Sequence, residues 1–139
     1  DVVNRILKER EVVVIADHDK STLDQVRSAL QTKGVGVRTT TRGEHALSLA
    51  RKLRPAVMVL DLELPDLNGY QLVDRLKRNK QTAGIAVVVT TARTEHIQEE
   101  AERLRTLGVR RLMSKPYSAD ELAADIHIML TGNGGGKES

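Results

Sequence analysis

Short apolar runs recur along this sequence, and each is followed by a segment whose apolar residues have helical spacing. The clearest runs are Val12–Ala16, Ala56–Leu60 and Ile85–Val89. Apolar runs of about five residues bounded by turn-forming residues are typical of strands buried on both faces. Strict alternation of such strands with helices predicts a parallel sheet covered by helices on both faces, which is an α/β fold.

The alternation predicts five strands and five helices in one domain. The predicted strands are residues 11–16, 35–39, 56–60, 85–90 and 109–113. The predicted helices are residues 21–33, 42–53, 68–79, 94–107 and a last helix that begins at 118. Ser118 and Glu121 have the spacing of a capping box. We expect residues 11–131 to form the domain, with a linker or short helix over 1–10 and a flexible glycine-rich tail over 132–139.

Length and composition limit the class of protein. A chain of 139 residues suits a single domain with one core. It has no cysteine, so neither a disulfide framework nor a thiolate metal site is expected. The apolar runs are far shorter than the roughly twenty residues that a membrane-spanning helix needs. No signal peptide is visible. These features predict a cytoplasmic protein without membrane insertion.

Polar side chains stand where four of the predicted strands end. Asp17 follows the first strand, Asp61 the third, Thr91 the fourth and Lys115 the fifth. The carboxyl ends of parallel strands meet at one edge of the sheet, and ligands bind at that edge in open α/β folds. Two carboxylates suit Mg²⁺, while a lysine and a hydroxyl can hold the oxygens of a phosphoryl group.

In this order and at this spacing, these residues resemble the receiver domain of two-component response regulators. The resemblance covers roughly residues 11–131. It implies a flavodoxin-like, doubly wound parallel sheet of five strands in the order 2-1-3-4-5, with the first and third strands side by side. The matching positions are Asp17, Asp61 with Pro65 and Gly69, Thr91 with Ala92, and Lys115 with Pro116.

The resemblance also implies a role for each residue of the site. Asp61 is the expected phosphoacceptor and acts as a nucleophile. Asp17, Asp61 and the backbone carbonyl of Glu63 are the expected Mg²⁺ ligands. Lys115 is the expected cation for a phosphoryl oxygen, and Thr91 is expected to hydrogen-bond the group once it arrives. We expect this site to stay open to water. Such a domain can dephosphorylate itself but is not a turnover enzyme for an external substrate.

The implied partners are proteins. A histidine kinase or phosphotransfer protein is expected to supply the phosphoryl group. An output domain or partner protein is expected at the surface of the fourth helix, fifth strand and fifth helix, with homodimerisation as a further option. Tyr70 and Tyr117 are the only aromatic residues, which argues against a surface that stacks nucleic-acid bases. No helix-turn-helix follows the domain, so we expect no specific nucleic-acid binding by this chain, which is interpreted as cut from a longer protein.

Two positions depart from the family pattern. The family usually has a second acid after the first strand, where this chain has His18, and imidazole is a poorer Mg²⁺ ligand than carboxylate. Asp19 would compensate in part if its side chain turned inward, and otherwise His18 is expected to be simply solvated. Leu112 stands where the family often has Tyr or Phe, so signalling through that surface is expected to be altered.

Two other functions remain open. Because of His18 and Leu112, the chain could be a receiver-like interaction module that is phosphorylated weakly or not at all. Asp17 and Asp19 also resemble the paired aspartates of haloacid-dehalogenase-type phosphatases, in which the first would be the nucleophile. That alternative places Lys20 where the phosphatase family prefers glycine, and it leaves Asp61 without a role.

Overall fold

The computed structural model describes residues 12–132, and these residues form an alternating series of five strands and five helices. The strands are β1 Val12–Ala16, β2 Gly36–Thr40, β3 Val57–Asp61, β4 Ala86–Thr91 and β5 Arg111–Ser114. The helices are α1 Lys20–Gln31, α2 Gly43–Leu53, α3 Gly69–Arg78, α4 Ile97–Thr106 and α5 Ala119–Thr131. The predictions for residues 1–10 and for the tail beyond 132 lie outside the described residues.

The strands form one parallel sheet in the order β2-β1-β3-β4-β5, which confirms the predicted topology. The central register pairs Ile15 with Val59 and Val59 with Val88. Because the chain leaves β1 towards β2 and then returns to β3 on the other side, the strand order reverses between β1 and β3. A crevice therefore opens at the carboxyl ends of these two strands.

The two faces of the sheet are covered by different helices. Val14, Met58 and Val87 pack on one face with buried residues of α2, α3 and α4. Val13 and Val59 lie on the other face with buried residues of α1 and α5. Every residue of β3 is buried, which explains why its sequence is a continuous apolar run up to its terminal aspartate.

The helix ends show where sequence signals and structure differ. Helix α4 was predicted from residue 94 but begins at Ile97, because His96 has φ +60° and cannot belong to a right-handed helix. Ser118 accepts a hydrogen bond from the Glu121 N–H at 3.2 Å, as the capping-box spacing suggested. None of the helices described between residues 12 and 132 is long and apolar enough to cross a bilayer.

Gly69 allows the loop after β3 to fold back closely on itself. A Cβ atom at this position would lie 2.5 Å from Leu62 Cδ1 and 2.9 Å from Leu62 Cα. The Gly69 N–H also donates to the Leu62 carbonyl at 3.0 Å. Glycine is therefore required for the close approach of the start of α3 to Leu62, which holds the segment that follows Asp61 in place.

Asp66 ties the loop after β3 to α2. Its carboxylate accepts hydrogen bonds from the N–H groups of Gly43 at 2.7 Å and Glu44 at 3.0 Å, at the first turn of that helix. Burial raises the pKa of Asp66, but these N–H donors outweigh burial and leave the pKa below its ordinary value. This cap between distant segments was not predicted from the sequence.

Replacing Asp66 by alanine should destabilise the fold by about 1 kcal/mol at pH 7, the usual effect of losing a helix cap. Because the folded-state pKa is lowered, the stabilisation is present above the ordinary value of 3.8 and is lost as the pH falls through the folded value. The difference in free energy of unfolding between wild type and Asp66→Ala, measured in urea, should therefore narrow as the pH falls from 7 to 2. Asp74→Ala, which removes an exposed pair with Arg78, serves as the control. A gap that stays constant with pH would contradict the assignment.

Candidate functional site

Two buried aspartates meet a lysine at the crevice between β1 and β3. Asp61 is the last residue of β3 and is fully buried, and Asp17 follows β1 and is 2% exposed. Lys115 follows β5, and its Nζ lies 2.9 Å from Asp17 Oδ2 and 3.3 Å from Asp61 Oδ2. The strand order brings together three of the residues that the sequence indicated, although they are far apart along the chain.

The opposite charges in this cluster stabilise the ionised forms of Asp61 and Lys115. Burial raises the pKa of Asp61, but the Glu63 N–H, the His18 ring and the Lys115 charge outweigh burial and leave the pKa below its ordinary value. Burial lowers the pKa of Lys115, but the hydrogen bond and charge of Asp17, with Asp61, outweigh burial and raise it. Asp61 is therefore an ionised carboxylate at neutral pH, as a nucleophile must be.

His18 takes part in the cluster. Its side chain is 51% exposed, but Nδ1 lies 2.5 Å from Asp61 Oδ2 and 3.7 Å from Asp17 Oδ1. The expectation that His18 would be simply solvated is therefore wrong, because the crevice places it against the buried carboxylate. Only one edge of the imidazole faces the cluster, which explains its exposure.

Asp19 does not replace the missing acid. Its carboxylate accepts hydrogen bonds from the Ser21 N–H at 3.2 Å and the Thr22 hydroxyl at 2.8 Å. These bonds cap the N-terminus of α1 and hold the side chain on the surface. The suggestion that Asp19 turns inward is therefore wrong, since the helix end uses its acceptor oxygens.

The Thr91 hydroxyl is hydrogen-bonded to the side chain of Glu63. The hydroxyl donates to Glu63 Oε2 at 2.6 Å, and the Ala92 N–H donates to Glu63 Oε1 at 3.1 Å. Arg93 Nε lies 3.6 Å from Glu63 Oε2. The sequence had suggested only a backbone role for Glu63. A signal was available, since parallel pairing of β3 with β4 brings a residue two positions after Asp61 close to the end of β4.

The donor set fits a divalent cation. Asp17, His18 and Asp61 each offer one ligand atom, and all three atoms lie within 4.8 Å of one another. Two carboxylates with one lysine leave a negative balance that attracts a dication. The Glu63 N–H donates to Asp61 Oδ1 at 3.0 Å, so Oδ2 is the Asp61 oxygen that faces His18 and Lys115.

Leu112 lies away from this cluster. It pairs in register with Val89 on β4 and packs, partly buried, against the core face that α2, α3 and α4 cover. Leu112 therefore fills space at the position where the family often has an aromatic ring.

Comparison with known proteins identifies a family for this chain. The model of the response regulator receiver domain matches residues 13–127. Response regulator SaeR of Staphylococcus aureus is 33% identical over 119 residues, which are 86% of this chain and 50% of that protein. The chain thus spans about half the length of the curated relatives it matches.

Solved structures share the fold of this chain. The signal receiver domain of a Luxo repressor protein from Vibrio parahaemolyticus has a TM-score of 0.79 at 21% identity, and the match covers 88% of this chain and 91% of that one. The BeF3-activated receiver domain of DrrB, a Thermotoga maritima protein, has a TM-score of 0.74 at 26% identity, over 86% of this chain and 97% of that one. The family model, the similarity to SaeR and the strand order all agree, and the chain belongs to the response regulator receiver domains of two-component systems.

Proposed function

We propose that Asp61 accepts a phosphoryl group from a histidine kinase or phosphotransfer protein, and that this modification switches a partner protein or an attached output domain. The observation that carries the proposal is the buried Asp61 carboxylate with the Lys115 ammonium 3.3 Å from its Oδ2. A carboxylate nucleophile beside a fixed cation is the arrangement that attack on phosphorus requires.

Each residue has a distinct task in this reaction. The Glu63 N–H holds Asp61 Oδ1, which leaves Oδ2 to attack phosphorus and form an acyl phosphate while the leaving group departs from the opposite side. Lys115 donates to a phosphoryl oxygen. A Mg²⁺ ion held by Asp17, Asp61 and the Glu63 carbonyl would offset the negative charge on the phosphoryl oxygens. The His18 ring lies 2.5 Å from Oδ2, so it has to rotate away from this oxygen before phosphorus can approach.

The domain acts as a switch, not as a turnover enzyme for an external substrate, and we place it in the cytoplasm as the family resemblance implies. The face formed by α4, β5 and α5 is the proposed contact surface for the output domain or partner. An ion pair between Arg111 on β5 and Asp125 on α5 joins two elements of that face. Leu112 on β5 would transmit the change by packing, without the hydroxyl that a tyrosine offers.

The test is incubation of the chain with acetyl phosphate and Mg²⁺, followed by intact mass measurement. Borohydride reduction and peptide mapping then locate the acyl phosphate. A single phosphoryl group on Asp61 supports the proposal. A label on Asp17 would favour the phosphatase-type alternative, and no label with any divalent ion would favour the interaction module that is not phosphorylated.

Glu63 should slow phosphorylation, because its carboxylate binds the Thr91 hydroxyl, which is expected to hydrogen-bond the phosphoryl group, and the neighbouring Ala92 N–H. Thr91 and Ala92 become free only when Glu63 leaves them. Glu63→Ala removes the competing anion and keeps the backbone carbonyl. We expect initial labelling by acetyl phosphate to be about fivefold faster, which corresponds to about 1 kcal/mol for a partly exposed, charge-assisted hydrogen bond.

Glu63→Gln is the matched variant, since it keeps the size of the side chain but loses the charge. It should label at a rate between wild type and Glu63→Ala. Time courses by intact mass at fixed Mg²⁺ measure all three proteins. A rate for Glu63→Ala at or below that of wild type would show that Thr91 and Ala92 do not limit labelling.

A further inference from the structure

We propose that His18 makes this site selective for a transition-metal dication that binds imidazole, with Zn²⁺ as the reference ion, in preference to Mg²⁺. The proposal rests on the proposed function for the presence of a metal beside Asp61, and it concerns which ion is held and by which side chain. His18 would be a direct ligand, together with Asp17 and Asp61.

The present geometry is close to that of a metal site. Metal–ligand bonds of about 2.0–2.2 Å place neighbouring ligand atoms about 3–4 Å apart. His18 Nδ1 already lies 3.7 Å from Asp17 Oδ1. The 2.5 Å separation between His18 Nδ1 and Asp61 Oδ2 is that of a hydrogen bond, and an ion between the two atoms would widen it by a small rotation of a half-exposed ring.

Asp61 Oδ2 also accepts from Lys115 Nζ at 3.3 Å, and a carboxylate oxygen can keep such a bond while it binds an ion. Lys115 Nζ forms an ion pair with Asp17 Oδ2 at 2.9 Å, so Asp17 Oδ1 is the oxygen on the His18 side. The Asp19 N–H donates to that oxygen at 2.9 Å and orients it, and a carboxylate oxygen can accept this bond and bind an ion at the same time. The Asp19 carboxylate itself caps α1 and supplies no oxygen to the site.

The chemistry of the donor set decides between ions. Mg²⁺ requires near-octahedral oxygen ligands and gives up water reluctantly. Imidazole suits Zn²⁺ and its transition-metal neighbours, and their affinity for nitrogen ligands exceeds that of the hard ions. Two carboxylates, one imidazole and an open position form a donor set that Zn²⁺ accepts. With Lys115 nearby, Asp17 and Asp61 leave a net charge of only about −1, which weakens binding of an ion that depends on charge alone.

The experiment is isothermal titration of the intact chain with Mg²⁺ and with Zn²⁺, without any phosphodonor. We expect wild type to bind Zn²⁺ at least about tenfold more tightly than Mg²⁺. His18→Ala should lose about 10- to 100-fold in Zn²⁺ affinity and change little for Mg²⁺. His18→Asp should bind Mg²⁺ more tightly than wild type, because a hard dication gains an anionic oxygen.

His96→Ala is the matched control. His96 forms an exposed pair with Glu99, with Nδ1 3.0 Å from Oε1, so it tests whether any surface histidine beside an acid binds Zn²⁺ equally well. We expect its affinities to equal those of wild type. In parallel, Co²⁺ added as a paramagnetic stand-in should strongly shift the His18 ring signals in the NMR spectrum and leave those of His96 in place.

Three results would overturn the proposal. These are equal Zn²⁺ affinity in wild type and His18→Ala, an equal loss in His96→Ala, and His18 ring signals that Co²⁺ leaves unshifted. The first and third would show that His18 serves only as a hydrogen-bond partner of Asp61, and the second would show that the loss of Zn²⁺ affinity is not specific to His18. The proposed phosphorylation is judged separately by the mass label on Asp61, so each idea can fail without the other.

Discussion

Asp61→Asn is expected to abolish the mass gain that acetyl phosphate gives the wild-type chain. The amide has no charge and no nucleophilic oxygen of comparable strength, so no acyl phosphate can form. Other carboxylates are poor substitutes. Asp17 has a similar depth of burial, but the proposal assigns it to the metal, so we do not expect it to replace Asp61 as the acceptor.

Loss of the label has to be separated from loss of the fold. The asparagine oxygen can still accept from the Glu63 N–H, which is 3.0 Å from Asp61 Oδ1 in the wild type. Its amide would face Lys115, donor against donor, while the repulsion between two carboxylates disappears. We therefore expect the free energy of unfolding in urea to change by only about 1 kcal/mol.

Asp66→Asn is the control for Asp61→Asn, because it makes the same chemical change in the loop that follows β3. Asp66 caps α2 and touches none of the residues assigned to the reaction. This variant should label like wild type. A mass gain in Asp61→Asn equal to that of Asp66→Asn would mean that another residue is the acceptor and that the proposed function is wrong.

The sheet and the meeting of Asp17, Asp61 and Lys115 could be predicted because they depend on the backbone. Apolar runs mark strands buried on both faces, and parallel pairing then brings the carboxyl ends of the strands to one edge. A residue that directly follows a strand has little freedom in where its Cα lies. Errors of one to three residues in the element ends therefore did not disturb the site.

The directions of the side chains around the site could not be predicted in the same way. The Asp19 carboxylate has two acceptor oxygens, and Ser21 and Thr22 at the start of α1 donate to both of them. The preference of aspartate for the N-cap position does indicate this outcome. Glu63 has several rotatable bonds, and contacts from Thr91 and Ala92 on a neighbouring strand end decide where its carboxylate lies. Such choices depend on partners that only the folded chain brings together.

Lys115→Ala should lose most of the labelling by acetyl phosphate. Lys115 is the cation that would hold a phosphoryl oxygen, and removal of one such preorganised donor typically slows a reaction by about a hundredfold. We expect a loss of at least about tenfold in the initial rate, because the metal and the Glu63 N–H remain. Intact mass time courses at saturating Mg²⁺ measure it.

Lys115→Ala should also lose more free energy of unfolding than it would if the site were exposed to water. The Lys115 side chain is 17% exposed and its two partners are almost fully buried, so the expectation of a site open to water does not hold. Removing one partner of a buried ion pair leaves charge uncompensated, and with His18 still in place we expect a cost of about 2 kcal/mol without metal. A dication should recover part of this loss by replacing the missing positive charge.

The stabilisation that Lys115 contributes depends on pH, and its raised pKa sets the direction of that dependence. The folded-state pKa of Lys115 lies above its ordinary value of 10.5, so its stabilisation is fully present below that value and is lost only as the pH rises through the folded value. The stability gap between wild type and Lys115→Ala should therefore hold constant from pH 7 to pH 9. A gap that closes within this range would mean that another group carries the effect.

Lys77→Ala is the control that separates the effect of Lys115 on stability from its effect on labelling. Lys77 is another partly buried lysine, and its Nζ donates to the carbonyls of Ala83 at 3.0 Å and Ile85 at 2.9 Å, away from the site. Its loss should destabilise the fold, since it leaves two carbonyls without their donor, but labelling should stay at the wild-type rate. If both variants label normally, Lys115 does not hold the phosphoryl group. If both label poorly, reduced stability and not the missing cation explains the result for Lys115.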